Sequence, residues 1–109
     1  MKDLENRFHN DMIQTYLAAK RLKYNASYFV QMVTEKGGYM TAKQLIHTKT
    51  TSEGFTKLWE LKRLDLSVEA HVLKPEYHLL FTDEERQICQ NRLSEYGYKV
   101  LESEDKKGG

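Results

Sequence analysis

Charged side chains that could do chemistry are concentrated in one short, leucine-rich stretch of the chain. Glu60, Arg63, Asp65 and Glu69 alternate there with leucine and valine, just after the single tryptophan, Trp59. One interpretation is a solvated face with one or two ion pairs that fix a turn. The other is a polar site directed at a partner or ligand. Exposed ion pairs contribute only roughly 0 to 1 kcal/mol, so a pair here would matter mainly for geometry. These five residues form the candidate interaction site, and we predict that Arg63 pairs with one of the three carboxylates.

The sequence carries no recognisable catalytic or metal-binding pattern. The carboxylates of Glu60, Asp65 and Glu69 could hold a divalent ion. Glu60 and Glu69, however, are expected on two different helices with a turn between them, and such residues usually face different ways. The four histidines lack the i, i+4 spacing of metal ligands, and Cys89 lies on the expected inner face of a helix. Phosphate-binding loops, dinucleotide fingerprints and nucleophile elbows are absent from the sequence. We therefore expect no enzymatic activity, no metal and no cofactor.

Basic residues around a hydroxyl-rich loop suggest a second kind of site. The segment TKTTSE, residues 48–53, is expected to be a mobile connection between two short helices. These helices could act as a degenerate helix-turn-helix, although the connection is longer than the usual three or four residues. Contacts to phosphates would then come from basic residues near the loop, namely Lys43, Lys49, Lys57, Lys62 and Arg63.

Length and composition restrict the classes of protein to which this chain can belong. A chain of 109 residues can form one domain with a modest core. The net charge of +1 argues against a nonspecific nucleic-acid binder but allows a local basic face. No apolar run approaches the roughly 18 to 20 residues that span a membrane, and the polar N-terminus does not resemble a signal peptide. One cysteine cannot form an internal disulfide, so we expect a reduced, cytoplasmic protein with no membrane contact.

Hydrophobic spacing predicts an all-α fold, a compact bundle of five to six helices in a single domain. The longest helices are expected over about 3–23 and 83–96, the second opening with a capping box of Thr82 and Glu85. They should sandwich short central helices. The central helices are expected over about 25–36, 41–47, 55–62 and 65–73. Their expected N-terminal caps are, in order, Asn25, Thr41 (in a capping box with Gln44), Ser52, and either Asp65 or Ser67. Pro75 is expected to open a further helical turn.

Residues 1–101 are predicted to be the helical domain, and the charged, glycine-terminated residues 102–109 a flexible tail. The domain ends in a strand-like segment over 98–101. In the fourth helix, four apolar side chains recur on one side and are expected to face the core: Phe55, Leu58, Trp59 and Leu61.

Several short sequence motifs follow one another in an order that resembles the sequence pattern of a known protein family. Gly-Phe, Leu-Trp-Glu, Arg-Leu-Asp-Leu, Val-Leu-x-Pro-Glu-Tyr and Leu-Phe-Thr follow one another in the central part of the chain. This order is similar to that of an uncharacterised family of small bacterial helical proteins and domains, over about Asn25 to Tyr96. The resemblance implies that the five candidate residues, from Trp59 to Glu69, belong to the family pattern. It implies no activity.

Two functions remain as hypotheses. The first is a non-enzymatic protein-interaction module of a bacterium, phage or mobile element, one form of which is a regulator or inhibitor in a defence or anti-defence setting. Seven tyrosines exceed the needs of a small core, and tyrosine is enriched at protein interfaces. The second is a nucleic-acid-binding accessory domain that uses the degenerate helix-turn-helix. Binding that weakens steeply with salt would favour the second hypothesis.

Overall fold

The computed structural model describes residues 2–98 of the chain. Within this range the chain forms six α-helices and two 3-10 helices, and no strand. The α-helices are α1 (Lys2–Arg21), α2 (Ser27–Lys36), α3 (Gly38–Ile46), α4 (Glu53–Glu60), α5 (Val68–Val72) and α6 (Asp83–Glu95), and the 3-10 helices Leu64–Leu66 and Pro75–Leu80 flank α5. The predicted all-α bundle with short central helices is confirmed. The predicted tail and all but the first residue of the strand-like segment lie outside the described residues.

The core is built around α3, which contacts α1, α2, α5 and α6. Aromatic rings fill the space between α1 and the second 3-10 helix. The ring of Phe8 lies 5.0 Å from that of Tyr77 and 5.3 Å from that of Phe81, both in edge-on geometry. Phe8 and Tyr77 are fully buried. Edge-on aromatic pairs add roughly 0.5 to 1.5 kcal/mol each beyond the burial of their area, so this cluster anchors the first helix.

The two adjacent glycines have different roles at the start of α3. Gly37 has a positive φ of 87°, and its amide donates to the carbonyl of Val33, which ends α2. Gly38 permits the close approach of α1, because a Cβ there would lie 2.7 Å from the Cα of His9. The Gly38 amide donates to the His9 Nδ1 at 2.9 Å. Helix α3 therefore begins at Gly38, three residues earlier than the predicted capping box.

Three of the predicted caps are confirmed and two are wrong. The side chains of Ser52, Ser67 and Thr82 accept backbone amides at the starts of α4, α5 and α6, and Glu85 completes the capping box of α6. Ala26, not Asn25, precedes α2, and it provides no side-chain cap. Thr41 lies inside α3, fully buried, and its hydroxyl has no partner within residues 2–98.

Helix α4 differs from the prediction on its apolar side. Phe55 and Leu58 are buried, but 46% of Trp59 is exposed. Trp59 follows Leu58 by one residue, which turns it about 100° away from the buried stripe of a helix. Its ring instead meets the ring of Tyr96 edge-on at 5.2 Å, at the edge of the core.

Candidate functional site

An open cleft of about 660 Å³ separates the end of α1, the start of α2, the TKTTSE loop and α4. Its volume lies within the roughly 300 to 1,000 Å³ typical of ligand-binding cavities. The cleft, hereafter the tyrosine cleft, has a mainly apolar wall, to which Ala19, Phe29, Met32, Leu45, Phe55 and Leu58 contribute. A concave apolar surface with a few polar groups is the usual form of a binding site.

Three of the seven tyrosines line this cleft, which is why we name it after them. Tyr28 projects at the rim and is 71% exposed. The hydroxyl of Tyr16 donates to the Asn25 Oδ1 at 3.1 Å, so Asn25 orients a cleft side chain where a helix cap was predicted. Burial, and then the charge of Glu53, raise the pKa of Tyr24. All three rings combine an apolar body with a polar tip, a combination favoured at interfaces.

A buried ion pair lies beneath the cleft. Glu69, which lines the cleft, is 3% exposed, and its Oε2 accepts from Nη1 of Arg92 on α6 at 3.2 Å. The same guanidinium donates to the carbonyls at the end of α3 and in the loop: those of Leu45 at 3.1 Å, Ile46 at 3.1 Å and Thr48 at 2.6 Å. Arg92 therefore fixes the position of the TKTTSE loop, which forms one side of the cleft.

The ionisation of Glu69 reflects this position. Burial raises the pKa of the Glu69 carboxyl, and a hydrogen bond from the backbone amide of Glu69 itself, followed by the Arg92 charge, opposes the increase. Sequence reasoning did not select Arg92. The available signal was its place beside Leu93, three residues after Cys89, on the inward stripe of α6.

A second polar cluster joins α3 to the start of α6. Both carboxylate oxygens of Glu85 lie 2.8 Å from Nζ of Lys43, and Oε2 lies 2.7 Å from Nε2 of His47. Burial would raise the pKa of Glu85, but the hydrogen bonds from Lys43, the Thr82 amide and His47 outweigh burial and lower it to about 2. The cluster is a structural ion pair whose exposed member is His47.

The five predicted interaction residues do not form one site. Arg63 pairs with Asp65 through two hydrogen bonds of 3.0 and 3.1 Å, which confirms the predicted pairing, and both side chains are about half exposed. Glu60 faces Lys57 at 3.9 Å. Glu69 lies apart from this pair, because its carboxylate binds Arg92 beneath the cleft, and its role as an interaction residue stays a prediction. Trp59, with the Arg63–Asp65 pair, remains a possible second contact surface.

The predicted nucleic-acid contacts are also divided. Lys43 is bound to Glu85, and its ammonium lies 5.6 Å from the ring centroid of Tyr39. Lys57 lines the cleft, whereas Lys49 and Lys62 are exposed. Helix α4 packs mainly on the 3-10 helix that follows it, and α3 packs on other helices. Helices of a helix-turn-helix pack on each other, so this arrangement does not favour that motif.

Other groups that could do chemistry are held in the core. Cys89 is fully buried, and burial raises the pKa of its thiol. His71 lies between α1 and α5, with Nδ1 2.9 Å from the Ser67 carbonyl and Nε2 3.3 Å from the Thr15 hydroxyl. Nowhere in residues 2–98 do three possible metal ligands converge. In the same range, no helix combines the length and the apolar character needed to cross a membrane.

Comparison with known proteins identified no relative of this chain. The chain matches no family model, no curated protein and no solved structure.

Proposed function

We propose that this protein is a non-enzymatic protein-interaction module whose tyrosine cleft binds a short, mainly apolar segment of a partner protein. The observation that supports this proposal is the gathering of Tyr16, Tyr24 and Tyr28 around one open apolar cleft. The buried Tyr77, by contrast, is explained by core packing. Tyr24 packs partly against the core, whereas Tyr16 and Tyr28 lie outside the core cluster, so tyrosines that core packing does not explain occur at this cleft, as expected of an interface.

The rim of the cleft suits a peptide main chain. The hydroxyls of Thr50 and Thr51 line the cleft and make no hydrogen bond within the described part of the chain. They can bond to the amides and carbonyls of an extended segment, while the apolar wall takes its side chains. An association of this kind has an aromatic, apolar centre and a polar rim, like other protein interfaces.

The proposal can be tested by selecting displayed random peptides on the wild-type protein and measuring their affinities for three variants. Tyr28→Ala removes the exposed ring at the cleft. Leu79→Ala is the matched control, since Leu79 is 70% exposed, almost the same as Tyr28 at 71%, and does not line the cleft. Trp59→Ala tests the second surface. Truncation of an interface tyrosine that carries binding energy costs about 2 kcal/mol or more, which is over tenfold in affinity.

We expect Tyr28→Ala to weaken the selected peptides by tenfold or more, and Leu79→Ala to have no effect. Peptides sensitive to Trp59→Ala alone would move the interface to the surface of Trp59, Arg63 and Asp65. A salt-dependent gel shift with DNA or RNA, lost on substitution of Lys49 and Lys62, would instead favour the nucleic-acid hypothesis. The bacterial or phage setting and the regulatory role stay predictions.

A further inference from the structure

We infer that the tyrosine cleft selects, as the anchor of the bound segment, an aromatic side chain that carries a neutral hydrogen-bond donor, as the indole of tryptophan does. This inference rests on the proposed function and specifies its ligand. It follows from a buried carboxylate of the cleft lining, that of Glu69, and from the charges that surround that carboxylate.

The carboxylate of Glu69 has acceptor capacity that the protein does not fill. An ionised carboxylate offers about four acceptor positions. Within residues 2–98, one side chain donates to Glu69: Nη1 of Arg92, to Oε2, at 3.2 Å. Glu69 lines the cleft and is 3% exposed, so little water reaches it. A donor delivered by a ligand would therefore make a charge-assisted hydrogen bond in a largely desolvated site, where such bonds are strongest.

The surrounding charges exclude other anchors. An anionic group at the position of the donor would meet the Glu69 carboxylate directly, whereas the ammonium of Lys57, which also lines the cleft, is exposed and faces Glu60 at 3.9 Å. A cationic group would find the Glu69 charge already balanced by Arg92, whose side chain is also largely buried. Two cations in one desolvated site repel each other strongly. A neutral donor gains the hydrogen bond and avoids that repulsion.

The wall determines the rest of the anchor. Phe29, Phe55, Leu58 and the cleft tyrosines present apolar and aromatic surface, which favours a large, flat, apolar body. Phenylalanine would supply this body without a donor, and would cover Glu69 without satisfying it. Glu69 keeps its bond to Arg92 in either case, but only a ring with a donor adds a hydrogen bond to the charged carboxylate, so that ring is preferred to the same ring without a donor.

The test compares two small probes of nearly equal shape on the wild-type protein. Indole has one N–H donor, and benzofuran has an oxygen at that position and no donor. Each probe is titrated into ¹⁵N-labelled protein, and amide shifts near Ala19, Phe29 and Leu45 report occupancy of the cleft. We expect indole to bind with a dissociation constant about tenfold or more below that of benzofuran, the effect of one hydrogen bond to a charged group.

Two variants identify the acceptor. Glu69→Gln replaces the charged acceptor with a neutral one, and we expect the preference for indole to fall to a few-fold. Glu84→Gln is the control, because Glu84 is exposed on α6 and does not line the cleft. We expect it to leave the preference unchanged. If Glu69→Gln fails to fold, the pair of probes on the wild-type protein decides by itself.

Each outcome separates this inference from the proposed function. Equal affinities for indole and benzofuran overturn the donor assignment, while peptide selection still judges whether the cleft binds a partner. Absence of amide shifts with both probes also overturns the assignment. Selected peptides that depend on Tyr28 but carry phenylalanine or leucine as the common residue, without tryptophan or tyrosine, overturn the anchor and support the cleft.

Discussion

Glu69 and Arg92 form a buried ion pair that connects α5 to α6, and Arg92 also donates a hydrogen bond to the Ile46 carbonyl at the end of α3. Three separate segments thus depend on one guanidinium. A buried pair of this kind does not necessarily stabilise a fold more than apolar residues would, because both charges lose their hydration. Removing one partner alone is different, since it leaves the other charge buried and unbalanced.

Arg92→Met should therefore lower the free energy of unfolding by about 3 to 5 kcal/mol. Equilibrium urea denaturation measures this change. Arg21→Met, at the exposed end of α1, is the matched control and should change stability by no more than about 0.5 kcal/mol. Combining Arg92→Met with Glu69→Leu should recover part of the loss, because neither charge then remains buried. A loss below about 1 kcal/mol in Arg92→Met would contradict this account of the pair.

The Glu85 cluster predicts a specific loss of stability in acid. The pKa of Glu85 falls from 4.5 to about 2 on folding. Between those values the unfolded chain binds more protons than the folded chain, so protonation favours unfolding. The stabilisation is complete above about pH 4.5 and is lost as the pH falls towards 2, and it amounts to at most about 3 kcal/mol.

Denaturation measured from pH 6 to pH 2 should show this decline in the wild-type protein, and Glu85→Gln should make the curve flatter. Glu84→Gln is the control, because Glu84 occupies the same first turn of α6 but is exposed. If Glu85→Gln has the same pH profile as the wild-type protein, the Glu85 cluster does not contribute the stabilisation that is lost in acid.

Two glycine-to-alanine substitutions should change stability in opposite directions. At Gly38 the new Cβ would lie 2.7 Å from the backbone of His9, so α1 and α3 must separate. Overpacking of this kind costs about 1 to 3 kcal/mol. At Gly54, in the first turn of α4, the nearest atom is the Tyr24 hydroxyl at 3.5 Å, an ordinary contact. Gly54→Ala should stabilise the protein by about 0.4 to 1 kcal/mol, since alanine loses less entropy in a helix. Thermal denaturation distinguishes the two signs.

Arg63→Ala should leave the melting temperature nearly unchanged. The Arg63–Asp65 pair has good geometry, but both side chains are about half exposed, and exposed pairs contribute little. Differential scanning calorimetry measures the effect, with Asp65→Ala as the matched partner variant. A fall of several degrees in both would show that the pair fixes the turn at the first 3-10 helix. Loss of peptide binding without a change in melting would indicate that this surface contacts the partner.

Local interactions explain what could be predicted from sequence. The caps at Ser52, Ser67 and Thr82 depend on residues three positions apart, and Pro75 restricts the backbone at its own position. The pairing of Arg63 with Asp65 spans two residues. Because the atoms involved are close in the chain, residue type and spacing are sufficient to place them.

The tyrosine cleft could not be predicted in this way. Arg92 and Glu69 are separated by 23 residues, and Arg92 and Leu45 by 47, so their contact depends on how whole helices pack. The same applies to Asn25, whose type suits a helix cap but whose side chain accepts from Tyr16. Hydrophobic periodicity indicates that a residue faces the core, but it does not indicate which residue of another helix it contacts. The sequence alone therefore determined the all-α character of the fold and the starts of α4, α5 and α6. Only the tertiary structure decided that Glu69 is buried, that Trp59 is half exposed and that three tyrosines surround one cleft, because these properties arise from contacts between helices that are distant in the chain.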